Sequence, residues 1–259
     1  MVRYLILSGI FFIVLALEVF TFNWQSQSDY SLRASALNDR VLVFGTEIKS
    51  TLESIRKSNE ISPNASAALG RTLSIAIMMA SMQKPGGSTN INIICDGPIG
   101  GITVNANSEG RVKGYVKNPN VDLFLNNRGK LKISPVIGNG TIKVTMIQTN
   151  GETIKKESPI VSGEIGEDFS YFFSEIQGMP TAVAVGEIID TDNSIRVSGG
   201  FIIQIVEPLN DEEIYELENR LNQMESLSSQ LSNGKTVQEI LESIVGPIKI
   251  IERKQINNF

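Results

Sequence analysis

The segment from Ala65 to Met82 predicts a helix that is apolar nearly all round its circumference. Ser62-Pro63 begins this helix, because proline is tolerated in the first helical turn, and Pro85-Gly86-Gly87 ends it. A helix without a polar face is buried rather than surface-lying, so whatever fold the chain adopts must enclose it. The methionines near its end, Met78, Met79 and Met82, favour core packing over a plastic binding face.

Strands and two further helices are predicted on both sides of this buried helix. Thr46 is the expected N-cap of one helix, which carries an apolar stripe and ends near Asn59. The other helix runs from Ile165 to Ile176. Strands are predicted at Tyr30–Leu37, Arg40–Gly45, Asn90–Cys95, Gly101–Ala106, Arg111–Val116, Leu131–Ser134, Thr141–Gln148, Thr153–Val161, Ala182–Ile189 and Ile195–Glu207.

The pattern changes after Pro208 and becomes helical. Asn210 is an N-cap followed by three acidic residues, which suit a helix N-terminus. Apolar residues then fall on heptad a and d positions and form the predicted arm face: Ile214, Leu217, Leu221, Met224 and Leu231. Asn233-Gly234 breaks the helix, and Thr236 caps a shorter one. Runs of strands followed by a helical tail predict an α+β fold, with a sheet-rich N-terminal domain, packed helices and a separate helical linker arm.

Composition excludes several classes of chemistry. The chain has 259 residues, 41% of them hydrophobic, which is typical of a globular protein with one large domain. A net charge of -5 argues against a nucleic-acid surface. The absence of histidine excludes a Ser-His-Asp triad and a histidine-ligated metal. Cys95 is the single cysteine, so an internal disulfide and a four-thiolate zinc site are excluded. We expect no redox or metal role for Cys95 and interpret it as a small apolar strand residue.

Two motifs with apparent chemistry have simpler interpretations. Glu164, Glu167 and Asp168 lie together at a predicted helix start, where carboxylates stabilise the N-terminus. The segment 232–236 half resembles a phosphate-binding loop, but it has Ser229 where that motif needs glycine, and no strand precedes it. With no nucleophile or general base in a suitable pattern, we predict that the chain is not an enzyme and needs no cofactor.

The N-terminal segment, residues 1–28, departs from the rest of the chain. Tyr4 to Phe22 is nearly continuous apolar sequence, close to the length of about 20 residues that spans a bilayer. Glu18 inside it adds an insertion penalty. Two interpretations stay open: a membrane anchor or targeting segment, or residues upstream of a wrongly assigned start codon.

A series of dense motifs between Ser62 and Gly200 resembles a known family. The motifs are Ser62–Thr72, Asp96-Gly97-Pro98-Ile99-Gly100-Gly101, Val116-Lys117-Asn118-Pro119, Arg128-Gly129-Lys130-Leu131, Val161–Asp168 and Ser198-Gly199-Gly200-Phe201. In this order they resemble the heat shock protein 33 family of redox-switched bacterial chaperones. The resemblance runs from about Asp29 to about Glu252, and it departs from the family in lacking the C-terminal zinc-binding cysteine tail.

The resemblance implies a domain organisation. Residues 29–207 are expected to form the chaperone core, 208–246 the helical linker arm, and 247–259 a remnant before the missing zinc domain. In the family, oxidation releases zinc, unfolds the tail and linker, and exposes apolar surface that holds unfolding clients without ATP. Without the tail, the arm face must be covered by the sheet domain, a second subunit or a client.

The function implied is that of an ATP-independent holdase without the thiol and zinc switch. Its expected partners are unfolded or partly folded client proteins, with a homodimer possible, no zinc and no nucleic acid. Its expected location is the cytoplasm or an organelle stroma. The alternative is a structural or adaptor module, tethered to a membrane through Tyr4–Phe22 and dimerising through the arm.

Overall fold

The computed structural model describes residues 28–127 and 129–258, and their strands form two antiparallel-rich sheets. The first sheet has the order β10-β1-β2-β9-β8. Its strands are β1 (Tyr30–Ala36), β2 (Val41–Glu47), β8 (Thr181–Ile189), β9 (Ile195–Ile205) and β10 (Lys249–Gln255). The second sheet has the order β11-β5-β4-β3-β6-β7. Its strands are β3 (Ser88–Cys95), β4 (Ile102–Asn107), β5 (Arg111–Val116), β6 (Gly140–Ile147), β7 (Thr153–Pro159) and β11 (Asn257–Asn258).

The helices of the described residues lie between the sheets or on the outer face of the first sheet. They are α1 (Lys49–Asn59), α2 (Pro63–Ser81), α3 (Ser134–Ile137), α4 (Gly166–Tyr171), α5 (Asp211–Gln223), α6 (Leu227–Ser232) and α7 (Val237–Val245). A π-helical turn, Phe172–Ile176, continues α4. This confirms the predicted α+β class.

Helix α2 is the centre of the molecule and contacts strands of both sheets. All of its residues are buried from Asn64 to Gly70 and again from Thr72 to Ser81. Arg71 interrupts this run as its only charged side chain. The apolar sequence therefore folds as predicted, since a helix without a polar face is stable only when enclosed.

The N-terminus of α1 is capped by a residue that is distant in sequence. The prediction that Thr46 caps this helix is wrong. Thr46 lies in β2, and its hydroxyl donates to the carbonyl oxygen of Tyr30 at 2.7 Å. The carboxylate of Asp29 instead accepts the backbone N–H groups of Ser50 and Thr51 at 3.0 and 2.5 Å. An acid placed there satisfies helix N–H groups that have no partner inside the helix.

The predicted strand Leu131–Ser134 is also wrong. Leu131 forms one isolated bridge with Leu125, and Ser134 begins the short helix α3. The backbone N–H groups of Ile133 and Ser134 bind the carboxylate of Glu164 at 3.2 and 3.1 Å, so they are not available to a sheet. A side chain distant in sequence therefore decides this local structure.

The end of the chain, residues 247–259, which the resemblance implied to be a remnant before a zinc domain, contributes strands to both sheets. Strand β10 pairs antiparallel with β1, from Tyr30 opposite Gln255 to Ser35 opposite Lys249. Strand β11 pairs with β5 of the second sheet. Ile256 between them is buried. The arm that precedes β10 is consequently held at both ends and lies on the first sheet, rather than extending as a separate unit.

None of the described helices is both long enough and apolar enough to cross a membrane. The segment Tyr4–Phe22, for which a membrane anchor was one prediction, lies outside the described residues.

Candidate functional site

The outer face of the first sheet and the last three helices share a hydrophobic cluster, which we call the outer core. Its sheet residues include Leu32, Ala34, Val41, Val43, Phe201 and Ile203, and its helix residues include Leu217, Leu227, Leu231, Val237, Ile240, Leu241, Ile244 and Val245. A second cluster surrounds α2 between the two sheets, and we call it the inner core. The first sheet therefore lies between the two clusters.

The structure brings four of the five predicted arm residues to the outer core. Leu217 and Leu231 are buried, each with 7% of its surface exposed. Leu221 and Met224 are partly buried against the same cluster. Ile214 is half-buried and does not belong to the cluster. The apolar face of the arm is thus covered by the chain's own sheet.

The heptad pattern predicted one continuous helix, and the chain instead breaks between α5 and α6. Met224 adopts an extended conformation with ψ of 131°, and α6 begins after Ser226. Leu227 is buried as a result, although the heptad did not include it. The sequence carried one signal for this, since serine is a favoured residue at the start of a helix.

Helix α7 approaches β2 closely because β2 has a glycine at the contact. A Cβ atom built on Gly45 would lie 2.4 Å from Cγ1 of Val237 and 3.2 Å from Cδ1 of Leu241. The N-terminus of α7 is capped by Thr236, whose side chain accepts from the N–H of Glu239. The carboxylate of Glu47, at the end of β2, accepts the N–H of Val237 at 2.8 Å.

Glu47 also joins α7 to the first strand. The hydroxyl of Tyr30 donates to Glu47 Oε1 at 2.6 Å. Burial, and then the neighbouring Glu47 carboxylate, raise the pKa of Tyr30 above its ordinary value. The guanidinium of Arg253 on β10 lies 3.9 Å from the centroid of the Tyr30 ring. One buried tyrosine therefore links β1, the start of α7 and the C-terminal strand.

Helix α5 is held at its N-terminus by one bidentate ion pair. The guanidinium of Arg40, in the turn just before β2, donates to both carboxylate oxygens of Glu213 at 2.9 and 2.5 Å. The hydrogen bond from Arg40 lowers the pKa of Glu213 below its ordinary value. Arg220 reaches from the last turn of α5 to the carbonyl oxygen of Ile244 at 3.1 Å. These partners are partly exposed, so their contribution to docking is small.

Three charged side chains meet beside the arm, at the edge of the inner core. The guanidinium of Arg71 donates to Glu164 at 2.8 Å and to Glu187 at 3.2 Å. Burial raises the pKa of Glu187 to about 7, because it disfavours the charged carboxylate more than the shared Arg71 stabilises it. Although burial opposes it, hydrogen bonds from Ser134 and Arg71 hold the pKa of Glu164 below its ordinary value.

This charged group was not predicted as a unit. The sequence placed Glu164 with Glu167 and Asp168 as helix-capping acids. Asp168 does cap, since its carboxylate accepts the N–H groups of Gly163 and Ile165 at 3.2 and 3.0 Å. Glu164 instead binds Arg71. A cleft of 550 Å³ opens over these three side chains. Lys130, Ser226 just before α6, and serines within α6 also line this cleft.

Cys95 is the last residue of β3 and is half-buried against the inner core. Burial raises the pKa of its thiol above the ordinary value, which lowers the thiolate fraction at neutral pH. No group of three or more His, Cys, Asp or Glu side chains within residues 28–127 and 129–258 is arranged to hold a metal ion.

Comparisons with known proteins match both the fold and the sequence. The crystal structure of the 33 kDa chaperonin from Thermotoga maritima superposes with a TM-score of 0.83 at 27% identity, covering 90% of this chain and 80% of that one. The 33 kDa chaperonin of Oceanobacillus iheyensis is 37% identical over 219 residues, which are 84% of this chain and 76% of that protein. The 33 kDa chaperonin of Bacillus subtilis is also 37% identical over 219 residues, covering 84% and 75%.

The two-sheet fold with helices docked on its outer face is thus that of the 33 kDa chaperonins. The family model described as Hsp33 protein matches residues 29–259. The chain belongs to the Hsp33 family of chaperones, which confirms the resemblance found in the sequence.

Proposed function

We propose that this chain is a holdase, which binds unfolding proteins without ATP and without a thiol or zinc switch. The observation that carries the proposal is the separation of the outer core from the inner core. The three C-terminal helices cover an apolar sheet face, and their release leaves the enclosure of α2 intact. Unfolding proteins expose apolar side chains, and the uncovered faces would offer them a matching surface.

The proposed client surface has two sides. One is the outer face of the first sheet, around Val43, Phe201 and Ile203. The other is the apolar face of the arm, around Leu217, Leu221 and Leu231, whose client-binding role remains a proposal. Both faces are apolar and, in the docked state, each covers the other. Client binding therefore competes with docking of the arm.

The family's zinc chemistry does not fit the residues of this chain. A zinc site of the type that the resemblance implies requires four cysteine thiolates, and this sequence has one cysteine and no histidine. We accordingly propose that arm release is controlled by client competition and by the docking contacts alone. Purified protein is expected to hold well below one zinc ion per chain, which atomic emission spectroscopy of dialysed protein measures.

An engineered disulfide tests whether the arm must leave the sheet. A Cβ atom built on Gly45 lies 3.7 Å from the Cβ of Val237, which is within the usual range for a disulfide. We would introduce Gly45→Cys and Val237→Cys together with Cys95→Ser, so that the new pair is the only one available. Light scattering from a heat-aggregating client, without ATP, measures holding activity. We expect holding in the reduced protein and its loss in the oxidised protein.

The control for this experiment is Cys95→Ser alone, treated with the same oxidant and reductant. Its holding activity is expected to be equal in both conditions. Equal holding by the oxidised and reduced forms of the double cysteine protein, with the disulfide verified by mass spectrometry, would show that clients bind elsewhere.

The adaptor alternative requires the arm face to be available to a second copy of the chain. In the structure, the chain's own sheet occupies that face. An adaptor would also fail to suppress client aggregation, so the same scattering assay separates the two functions.

A further inference from the structure

An apolar cleft of 420 Å³ lies at the end of the inner layer, where α2 finishes between the two sheets. Its wall is formed by four of the seven methionines in the chain: Met79, Met82, Met146 and Met179. Leu42, Phe44, Ile154 and Val206 complete the apolar part. Methionine is unbranched and has three rotatable side-chain bonds, so such a wall adapts to the shape of a flexible apolar chain. This cleft, which we call the methionine cleft, is separate from the outer core.

Two hydrogen-bond donors that line the methionine cleft have no partner in the described structure. Gln204 on β9 is 4% exposed, and its Nε2 is buried and makes no hydrogen bond. Arg33 on β1 has a buried Nε that also makes none. Buried donors are almost always paired, because an unpaired one loses its bond to water without replacement. Both residues line the cleft on the face of the first sheet that is turned towards the inner layer.

The charges round the methionine cleft are mainly positive. Lys156 lies in the lining, with Nζ at 3.5 Å from the carbonyl oxygen of Ile176. Glu252 is the residue of β10 opposite Arg33 in the sheet, but its carboxylate pairs with Lys254 at 2.8 Å. The cleft therefore offers cationic and neutral donors and apolar walls, and no acidic side chain lines it among the described residues.

We propose that the methionine cleft binds a medium-chain fatty acid or a similar alkyl carboxylate. A carboxylate is an acceptor with two oxygens, so it can pair with the donor groups of Arg33 and Gln204, which both line the cleft. The alkyl chain lies along the four thioether side chains. Charge complementarity favours this ligand over a neutral apolar one, since Arg33 and Lys156 would otherwise be desolvated without a counter-charge. The site is independent of client holding at the outer core.

Decanoate is the probe for this site, and protein labelled with carbon-13 at the methionine methyl groups provides the readout. We expect decanoate to shift the signals of Met79, Met82, Met146 and Met179. Met224, which packs on the outer core, serves as an internal control and should not move. Decanol has the same alkyl chain without the carboxylate. We expect it to bind about tenfold more weakly, because it loses a charge-assisted hydrogen bond.

Two variants test the polar contacts. Gln204→Leu and Arg33→Met should each weaken decanoate binding by about tenfold and leave decanol binding unchanged. Arg196→Met removes a cation from the same sheet at an exposed ion pair with Asp190, and it should bind decanoate normally. Circular dichroism verifies the fold of each variant, and the comparison of decanoate with decanol in the unaltered chain needs no variant.

Three results would overturn the proposal. Equal binding of decanoate and decanol would make the donors irrelevant. Decanoate shifts confined to Met224 would place the binding at the outer core. An uncharged apolar peptide that displaces decanoate, and that shifts the cleft methionines at a lower concentration than decanoate does, would identify the cleft as a peptide groove.

Discussion

Glu187 accepts a hydrogen bond from Nε of Arg71 at 3.2 Å, between β8 and α2, with 1% of its side chain exposed. Arg71 is shared with Glu164, so one cation serves two carboxylates. Burial dominates at Glu187 and raises its pKa to about 7 from 4.5. We therefore expect this carboxyl to make stability depend on pH near neutrality.

The first prediction is that stability falls as pH rises from about 5 to 8. The folded state holds a proton on Glu187 that the unfolded state has already released, so its contribution is complete below the ordinary pKa and is lost through about pH 7. The loss is on the order of 3 kcal/mol. Urea unfolding at pH 5 and pH 8 measures it, and Glu187→Gln should remove it.

Glu157→Gln is the control for this pH dependence, since Glu157 forms an exposed ion pair with Lys143. It should keep the slope of the unaltered chain. Glu164 has a lowered pKa, so its contribution is lost only as pH falls below the window measured. An unchanged slope in Glu187→Gln would assign the pH dependence to another group.

The second prediction concerns Gly70 in α2. Alanine normally stabilises a helix relative to glycine, but a Cβ on Gly70 would lie 2.6 Å from Cδ2 of Leu52 and 3.2 Å from Oε1 of Glu187. We expect Gly70→Ala to lower the free energy of unfolding by about 1–3 kcal/mol. Thermal unfolding measures it.

A double-mutant cycle provides the control for Gly70→Ala. Leu52→Ala removes the nearest atom, so it should cost less in the Gly70→Ala background than in the unaltered chain. Strictly additive costs would mean that the overlap with Leu52 is not the cause.

The third prediction concerns the arm. Changing Leu217 and Leu221 to Ser removes the apolar face that α5 contributes to the outer core. A fully buried leucine contributes about 1.5–3 kcal/mol, so the pair should release α5 and raise the fluorescence of an apolar dye. Cooperative unfolding of the remaining domain should persist, because the inner core is untouched.

Tyr215→Ser is the matched control for the arm, because Tyr215 lies on the exposed side of α5 with 69% exposure. It should leave dye binding unchanged. Analytical ultracentrifugation of the double variant tests whether the arm face is instead a dimer interface. In that case the double variant would sediment as a monomer and the unaltered chain as a dimer. Dye binding that stays at the level of the control would show that α5 does not cover the sheet.

The fourth prediction is that thiol oxidation does not switch holding activity. Cys95 has no second cysteine with which to form an internal disulfide, and burial raises the pKa of its thiol. Client scattering should be equal before and after treatment with a thiol-specific oxidant. A gain in holding that Cys95→Ser abolishes would instead indicate a disulfide between two copies of the chain.

The sequence by itself determined the elements whose signal is local. Helix α2 was predictable because a run of apolar residues excludes a surface position. The β8–β9 hairpin and the helical character of the arm were predictable from periodicity and capping residues, but the break between α5 and α6 was not. Leu217 and Leu231 were likewise identified as residues that must be covered.

Tertiary structure alone decided what covers them and which distant groups meet. The sequence offered Thr46 as a cap, but the fold brings Asp29 to α1. The segment 249–255 has no alternating apolar pattern, and it is a strand because the edge of β1 was open to pairing. Arg71 and Glu187 are 116 positions apart in sequence. Periodicity reports which side of an element is buried, and it carries no information about the partner, because pairing is fixed by the packing of whole sheets.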